Sequence, residues 1–272
     1  MTARIRVQRY RDQSFSGRAD LVAGEEPLEV RLGGESLIVT MRTAGHDIEL
    51  IHGFLHAEGI ISAAADVTSM RYCDGVDDEG RNTYNVVDVQ LAGPIPVAAQ
   101  ASSRSFVTNS SCGVCGKASI EALQLRSRYL LPEHLQFEPA VITAAPGLLR
   151  AGQKTFSVTG GIHGAALLSP DGTLRHIRED IGRHNAVDKV IGAALLAGEL
   201  PLSGDALLTS SRASFELVQK AVMAGLGMLV AVSAPSSLAV ELAAETGLTL
   251  IGFTRDHGFN LYSNPKRVVG AA

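Results

Sequence analysis

The chain is short of cysteine, of long apolar runs and of net positive charge, and each shortage closes off a class of protein. Its three cysteines, Cys73, Cys112 and Cys115, leave one without a mate under any pairing. They make no disulfide framework and fit a reducing compartment. No apolar stretch is long enough to cross a bilayer, and residues 1–20 lack the apolar centre of a secretion signal. A cytoplasmic protein with no membrane attachment is therefore expected. A formal net charge of −4 offers nucleic acid no general attraction, so an anionic ligand has to be held by locally clustered arginines and lysines. What is present is ordinary globular composition: 272 residues, 46% hydrophobic and 19% charged, can bury one large core or two modest ones without crosslinks.

Residues 1–20 carry Arg4, Arg6, Arg9 and Arg11 among few apolar neighbours, which fits a solvated arm or an edge strand. Residues 28–32 and 36–42, around Gly33-Gly34, read as a hairpin. Ile48, Ile51 and Leu55 recur at helical spacing within 47–58, with Gly59 as the stop. Residues 67–72 and 84–91 alternate as strands, 93–105 reads as a loop, and 120–130 as a helix ended by Pro132. A boundary after residue 138 divides a β-rich N-terminal domain, 1–138, ending in a cysteine loop and a helix, from a C-terminal domain, 139–272. In the latter, 165–168 and 174–177 flank the turn Pro170-Asp171-Gly172, and Val187, Val190, Ile191, Ala194 and Leu195 define a buried helix face. Then 205–209, 215–226, 228–232, 238–245 and 248–253 alternate strand and helix. The fold class expected is α/β in the second half and α+β for the whole chain, with parallel strands joined by right-handed helical crossovers.

That organisation places a site without any motif search, because open parallel sheets bind ligands beyond the carboxyl ends of their strands. The ends here are Thr209-Ser210-Ser211-Arg212, Ser233-Ala234-Pro235-Ser236 and Thr254-Arg255-Asp256-His257-Gly258, with the turn 179–185 a candidate to join them. Arg183, Arg212 and Arg255 recur at equivalent places and, with hydroxyls and free helix N–H groups, suit phosphate. Ser210, Ser236 and Asp180 serve equally well as helix caps.

A second stretch carries different chemistry. In Ser110-Ser111-Cys112-Gly113-Val114-Cys115-Gly116-Lys117, a helix start after Gly116 and the ammonium of Lys117 both favour thiolate over thiol. A structural zinc needs two more ligands, and the other cysteine is Cys73 alone. A thioredoxin-like dithiol opens a helix straight after a strand, whereas a long small-residue loop precedes this one. A sulfur carrier needs a reachable thiolate that accepts a sulfane sulfur and passes it on. The residue types leave these three readings open. His56-Ala57-Glu58 ahead of Cys112 and Cys115 copies the order of the zinc deaminase motifs, but Ser111 stands in place of proline and the interval is long. His56 is therefore expected to be an exposed helical residue and Glu58 a helix-end carboxylate. Asp188 and Lys189 read as a surface pair, Cys73 as a small apolar strand residue, and His163 as a structural histidine in a glycine-rich turn.

The blocks SSCGVCGK, TGGIHGAAL, REDIGRHNAVDKVIG (178–192), SRASFELVQKA and LAVELAAETGLTLIGFTRDHGFNLY, in this order, resemble the formate dehydrogenase accessory sulfurtransferase family, FdhD/NarQ. The resemblance runs from the first hairpin to Tyr262. It implies a homodimeric sulfur carrier that takes persulfide sulfur from a cysteine desulfurase. The sulfur goes to the molybdenum bis(molybdopterin guanine dinucleotide) cofactor, or its tungsten counterpart, as formate dehydrogenase requires. That cofactor is a bound substrate, with a GDP-like nucleotide as its mimic, and no resident metal is implied. The resemblance also implies a cytidine-deaminase-like α/β/α C-terminal domain. Carried over, the family's first cysteine is Cys112, the persulfide carrier, and the second is Cys115, which assists. Its cofactor segment falls on Phe253, Thr254, Arg255, Asp256, His257 and Gly258, beside the strand-end arginines Arg183 and Arg212. Ser211 stands where the family is expected to prefer glycine, bulking the loop before Arg212. A non-catalytic cofactor chaperone and a zinc-deaminase-like hydrolase are the alternatives.

Overall fold

The computed structural model describes residues 2–73, 75, 83–94 and 128–271. The chain begins with strands β1 (Thr2–Arg11) and β2 (Ser14–Ala23), which among the described residues pair only with each other. The arginine-rich start is thus an ordered hairpin rather than a loose arm. Strands β3 (Glu26–Leu32), β4 (Glu35–Arg42), β5 (Val67–Tyr72) and β6 (Val86–Leu91) make a four-stranded sheet in the order β4-β3-β6-β5, with helix α1 (Asp47–Ala57) packed on it. Leu28, Val30 and Leu32 share one face by the two-residue period of a strand, and Leu50, Ile51 and Leu55 one face of the helix. Together with Val87 and Val89 they form one core.

The rest of the chain runs α2 (Pro139–Gly152), α3 (Lys154–Thr159), β7 (His163–Leu168), β8 (Leu174–Asp180), α4 (Arg183–Leu196), β9 (Ala206–Thr209), α5 (Phe215–Met223), β10 (Met228–Ala231), α6 (Ser237–Thr246), β11 (Thr249–Arg255) and β12 (Gly258–Ser263). Its strands form a six-stranded sheet in the order β12-β11-β10-β9-β7-β8. The expected alternation is present, and β9, β10 and β11 are parallel. β12, β7 and β8 are antiparallel additions at the two sides, so the sheet is mixed. Leu207 and Leu229 point into a core with α4, α5 and α6, while Ala206, Leu208, Met228 and Val230 point into a second core with Ile142, Ala145 and Leu149 of α2. A sheet buried on both faces needs apolar residues at every position, which β9 and β10 supply almost throughout. Residues 128–130, the described end of the helix expected over 120–130, are not helical. Among the described residues no helix is long and apolar enough to cross a membrane.

The four-stranded sheet is joined to this layer by α1 lying on α4 at backbone contact. A Cβ on Gly53 would stand 1.9 Å from the Asp188 carbonyl oxygen, and one on Gly192 1.8 Å from that of Glu49. The joint encloses charge. Asp188 and Lys189, expected as a surface pair, are 2% and 1% exposed and bond away from each other. Asp188 meets Lys220 at 2.7 Å, and Lys189 meets Asp180 at 2.7 Å. Burial forces each ion to keep a partner, and those partners lie on other elements. His56 is likewise buried, at 3% exposure, rather than exposed. Withdrawal from water pushes its pKa down to about 4, helped by the charges of Arg128 and Lys220. Cys73 sits one residue beyond β5, half-buried, with its N–H donating to Val86.

Candidate functional site

The carboxyl ends of β9, β10 and β11 open on one rim, and backbone hydrogen bonds continue the sheet past the strands into the loops. The Ser233 N–H donates to Ser211 O at 3.3 Å, and the Phe253 N–H to Ser233 O at 3.2 Å. Because β7 is antiparallel to β9, its beginning arrives at the same rim. The Ser210 N–H donates to Gly164 O, and the Gly164 N–H to Ser210 Oγ, both at 2.9 Å. β8 in turn pairs His163 with Asp180, which brings its end and the start of α4 alongside. The turn 179–185 therefore does join the strand ends, and His163 is the first residue of a strand rather than part of a turn.

The β11–β12 hairpin carries the six residues of the expected cofactor segment. Arg255 pairs with Gly258, leaving Asp256 and His257 as a two-residue turn. The register slips between Gly252 and Arg255, and within this bulge Phe253 has φ 53°. A left-handed backbone on a bulky residue costs on the order of 1–3 kcal/mol and collects at functional sites, and bulges re-aim side chains. Here the ring is left 45% exposed. Thr254 is turned inward, fully buried, and its hydroxyl donates to Ala231 O at 3.0 Å, tying β11 to β10. The Arg255 guanidinium donates to the carbonyls of Val232 and Thr254, which holds its stem over the end of β10 while the residue stays exposed.

The other expected cations stand farther along the same rim, Arg212 beyond β9 and Arg183 beyond β8 at the opposite side of the sheet. Arg183, the first residue of α4, is half-buried with its Nε enclosed and lacking a hydrogen-bond partner among the described residues. Arg212 is exposed on the loop after β9. Ser211 is only 3% exposed. Its hydroxyl donates to Arg212 O at 2.9 Å and lies 3.0 Å from the Thr209 hydroxyl, so its bulk fills the loop's inside and fixes it. Two histidines that the strand-end argument leaves out also stand here. His163 is half-buried, and burial, then the charges of Arg183 and His184, hold its pKa below the usual imidazole value. His184 Nε2 meets Glu216 Oε2 at 2.6 Å and Ser214 Oγ at 3.3 Å. That bond holds the Glu216 carboxyl below its ordinary range. The signal for both histidines is their adjacency to Gly164 and Arg183, but it is legible only once β7 is known to run antiparallel.

Caps divide as the residues allow. Ser236 caps α6, accepting from the Ala239 N–H at 3.2 Å. Asp180 accepts from the N–H of Gly182 at 2.8 Å and of Thr43 at 3.2 Å, and pairs with Lys189, so it is a buried joint. The N-cap positions of α4 and α5, Gly182 and Ser214, make no side-chain cap bond. Two helix N-termini without side-chain caps lie beside Arg183 and Arg212, and there backbone N–H groups and helix dipoles add to the guanidinium charges. Cys112 and Cys115 lie outside the described residues.

Comparison with known proteins gives a consistent picture. Residues 23–269 match the FdhD/NarQ family. A protein of Nocardia farcinica named sulfur carrier protein FdhD is 54% identical over 269 residues, covering 98% of this chain and 95% of that one. The protein of the same name from Mycobacterium tuberculosis is 47% identical over 276 residues and 98% of both chains. That of Sulfurisphaera tokodaii is 40% identical, again over 98% of both. A Desulfotalea psychrophila crystal structure, described as a formate dehydrogenase accessory protein, superposes with TM-score 0.75 at 24% identity over 98% of this chain and 99% of that one, a likeness of fold.

Proposed function

The chain belongs to the FdhD/NarQ family, and from that premise we propose that it is a sulfur carrier serving formate dehydrogenase. On this reading it acts as a sulfurtransferase in the cytoplasm, as a homodimer, between a cysteine desulfurase and the molybdenum bis(molybdopterin guanine dinucleotide) cofactor. Residues 139–272 form a cytidine-deaminase-like domain and 1–138 the smaller β-rich one. The observation that carries the reading is the rim. Exposed Phe253, Arg255 and His257, exposed Arg212, half-buried Arg183 and two uncapped helix N-termini lie in turn along the edge where an open sheet takes its ligand.

The chemistry assigned to the chain's own groups is as follows. The Cys112 thiolate attacks the outer sulfur of the desulfurase persulfide; that S–S bond breaks, the desulfurase cysteine leaves as thiolate, and Cys112 carries the new persulfide. Cys115, three residues on, protects or shares that sulfur. Arg183, Arg212 and Arg255 hold the diphosphates of the cofactor, and the Phe253 ring stacks on a guanine face. Cys112 then yields its outer, formally neutral sulfur to the reduced metal of the bound substrate, which supplies the two electrons that make it sulfide, and returns to thiolate. His163 and the His184–Glu216 pair stand near enough to Arg183 to feel its charge.

The test is maturation of formate dehydrogenase in cells carrying Cys112→Ala/Cys115→Ala in place of the native chain. Loss of dehydrogenase activity with GDP binding intact is expected. Full activity with the double variant would leave a cofactor chaperone as the function.

A further inference from the structure

The N-terminal ribbon has no part in the rim, and it is built as an interaction surface. All of β1 except Val7 is exposed, and β2 is exposed at all but Asp20 and Ala23. β2 runs beside α3, while among the described residues no strand pairs with the outer edge of β1. A two-stranded ribbon is marginal alone in water, and an open edge is a template for another strand. Its charge is also set apart from the body: residues 2–23 hold five arginines against two aspartates, a net +3, in a chain whose total is −4. Asp20 is already paired with Arg18 at 3.3 Å.

The register decides what such an edge accepts. Arg4 stands opposite Leu21 and Arg6 opposite Ala19, on one face. Arg9 opposite Ser16, Arg11 opposite Ser14 and Arg18 opposite Val7 share the other. A nucleic-acid groove meets one face of a ribbon, whereas an added strand sends side chains to both. A second copy is disfavoured as occupant. In any register the pair would set a ribbon of net +3 against its own like, whereas an acidic strand meets opposite charge.

We propose that the outer edge of β1 binds an extended, acidic segment of a partner protein as an added strand. Backbone pairing supplies affinity, and carboxylates on both faces of the segment meet Arg4 and Arg6 on one side and Arg9, Arg11 and Arg18 on the other. The proposal is independent of the sulfur-carrier reading.

Fluorescence anisotropy of the full chain with a labelled peptide of repeating Glu-Glu-Val-Val tests it. Binding is expected, weakened at least tenfold by Arg4→Glu/Arg9→Glu, one charge from each face, with circular dichroism checking that the variant is folded. A peptide of identical charge, N-methylated at alternate residues, leaves the protein untouched and is expected to lose binding at least tenfold. Equal binding of the N-methylated peptide would overturn strand addition. Failure of the unmethylated peptide to bind, its displacement by a DNA duplex held through the same arginines, or arginine-dependent self-association in sedimentation without peptide binding would each overturn the acidic-segment assignment.

Discussion

Gly53→Ala should loosen the joint between the two sheets, and its sign is opposite to that of most glycine-to-alanine changes in helices. Away from contacts, alanine stabilises a helix by about 0.5–1 kcal/mol over glycine. At residue 53 the new methyl would lie 1.9 Å from the Asp188 carbonyl oxygen and 2.9 Å from its Cα, both backbone atoms of α4 that no rotamer change can move. Ordinary contact begins near 3.4 Å, so α1 and α4 have to part by about 1.5 Å. Overpacking of this kind costs typically 1–3 kcal/mol, and an overlap with rigid backbone belongs at the upper end. The net expectation is a loss of about 2 kcal/mol, or about 4–8 °C in melting temperature for a chain of this size. The control is Gly147→Ala on α2, exposed and with nothing within 4 Å of its missing Cβ, which should raise the melting temperature slightly. Calorimetry on both variants settles the point. A Gly53→Ala protein as stable as the parent, or more so, would refute the claim that the helices meet at backbone contact.

Substitutions at Lys220, His56, Arg255 and Thr254 give further outcomes. Lys220→Met strands Asp188 in the interior and should cost about 3–5 kcal/mol in urea denaturation, whereas Lys220→Met/Asp188→Leu should recover most of that loss. His56 has a folded pKa near 4 against an ordinary 6.5. The unfolded chain therefore binds the proton first, and stability falls as pH drops from 6.5 toward 4, by about 3 kcal/mol across the window. His56→Gln should flatten that part of the pH–stability profile, and an unchanged slope would count against the assignment. Arg255→Ala should weaken GDP binding measured by calorimetric titration, while Thr254→Val, which removes the hydroxyl that donates to Ala231 O, should lower stability by about 1 kcal/mol.

What was legible in the sequence was periodic and local. The alternation of 28–32, the helical spacing of Ile48, Ile51 and Leu55, and the apolar runs of β9 and β10 each fix an element whose identity depends on nearby residues. α2 stayed hidden because Pro146, Gly147 and Gly152 interrupt its pattern, and β12 because its pairing with β11 slips twice. Asp188 and Lys189 looked solvated because charge next to charge on a helix usually is; their partners, Lys220 and Asp180, sit on other elements. That the ends of β9, β10 and β11 share one edge was legible from the strand–helix alternation alone. The histidines of that edge were not, since their arrival depends on β7 running against β9. An aromatic residue with positive φ, as at Phe253, has no sequence signature, because local preference argues against it.

The most direct test of the sulfur-carrier account is mass spectrometry of the chain after incubation with a cysteine desulfurase and cysteine. The account predicts the added mass of one sulfur atom on the peptide bearing Cys112, removed by a thiol reductant. An unmodified Cys112 peptide from protein that still matures formate dehydrogenase would contradict it.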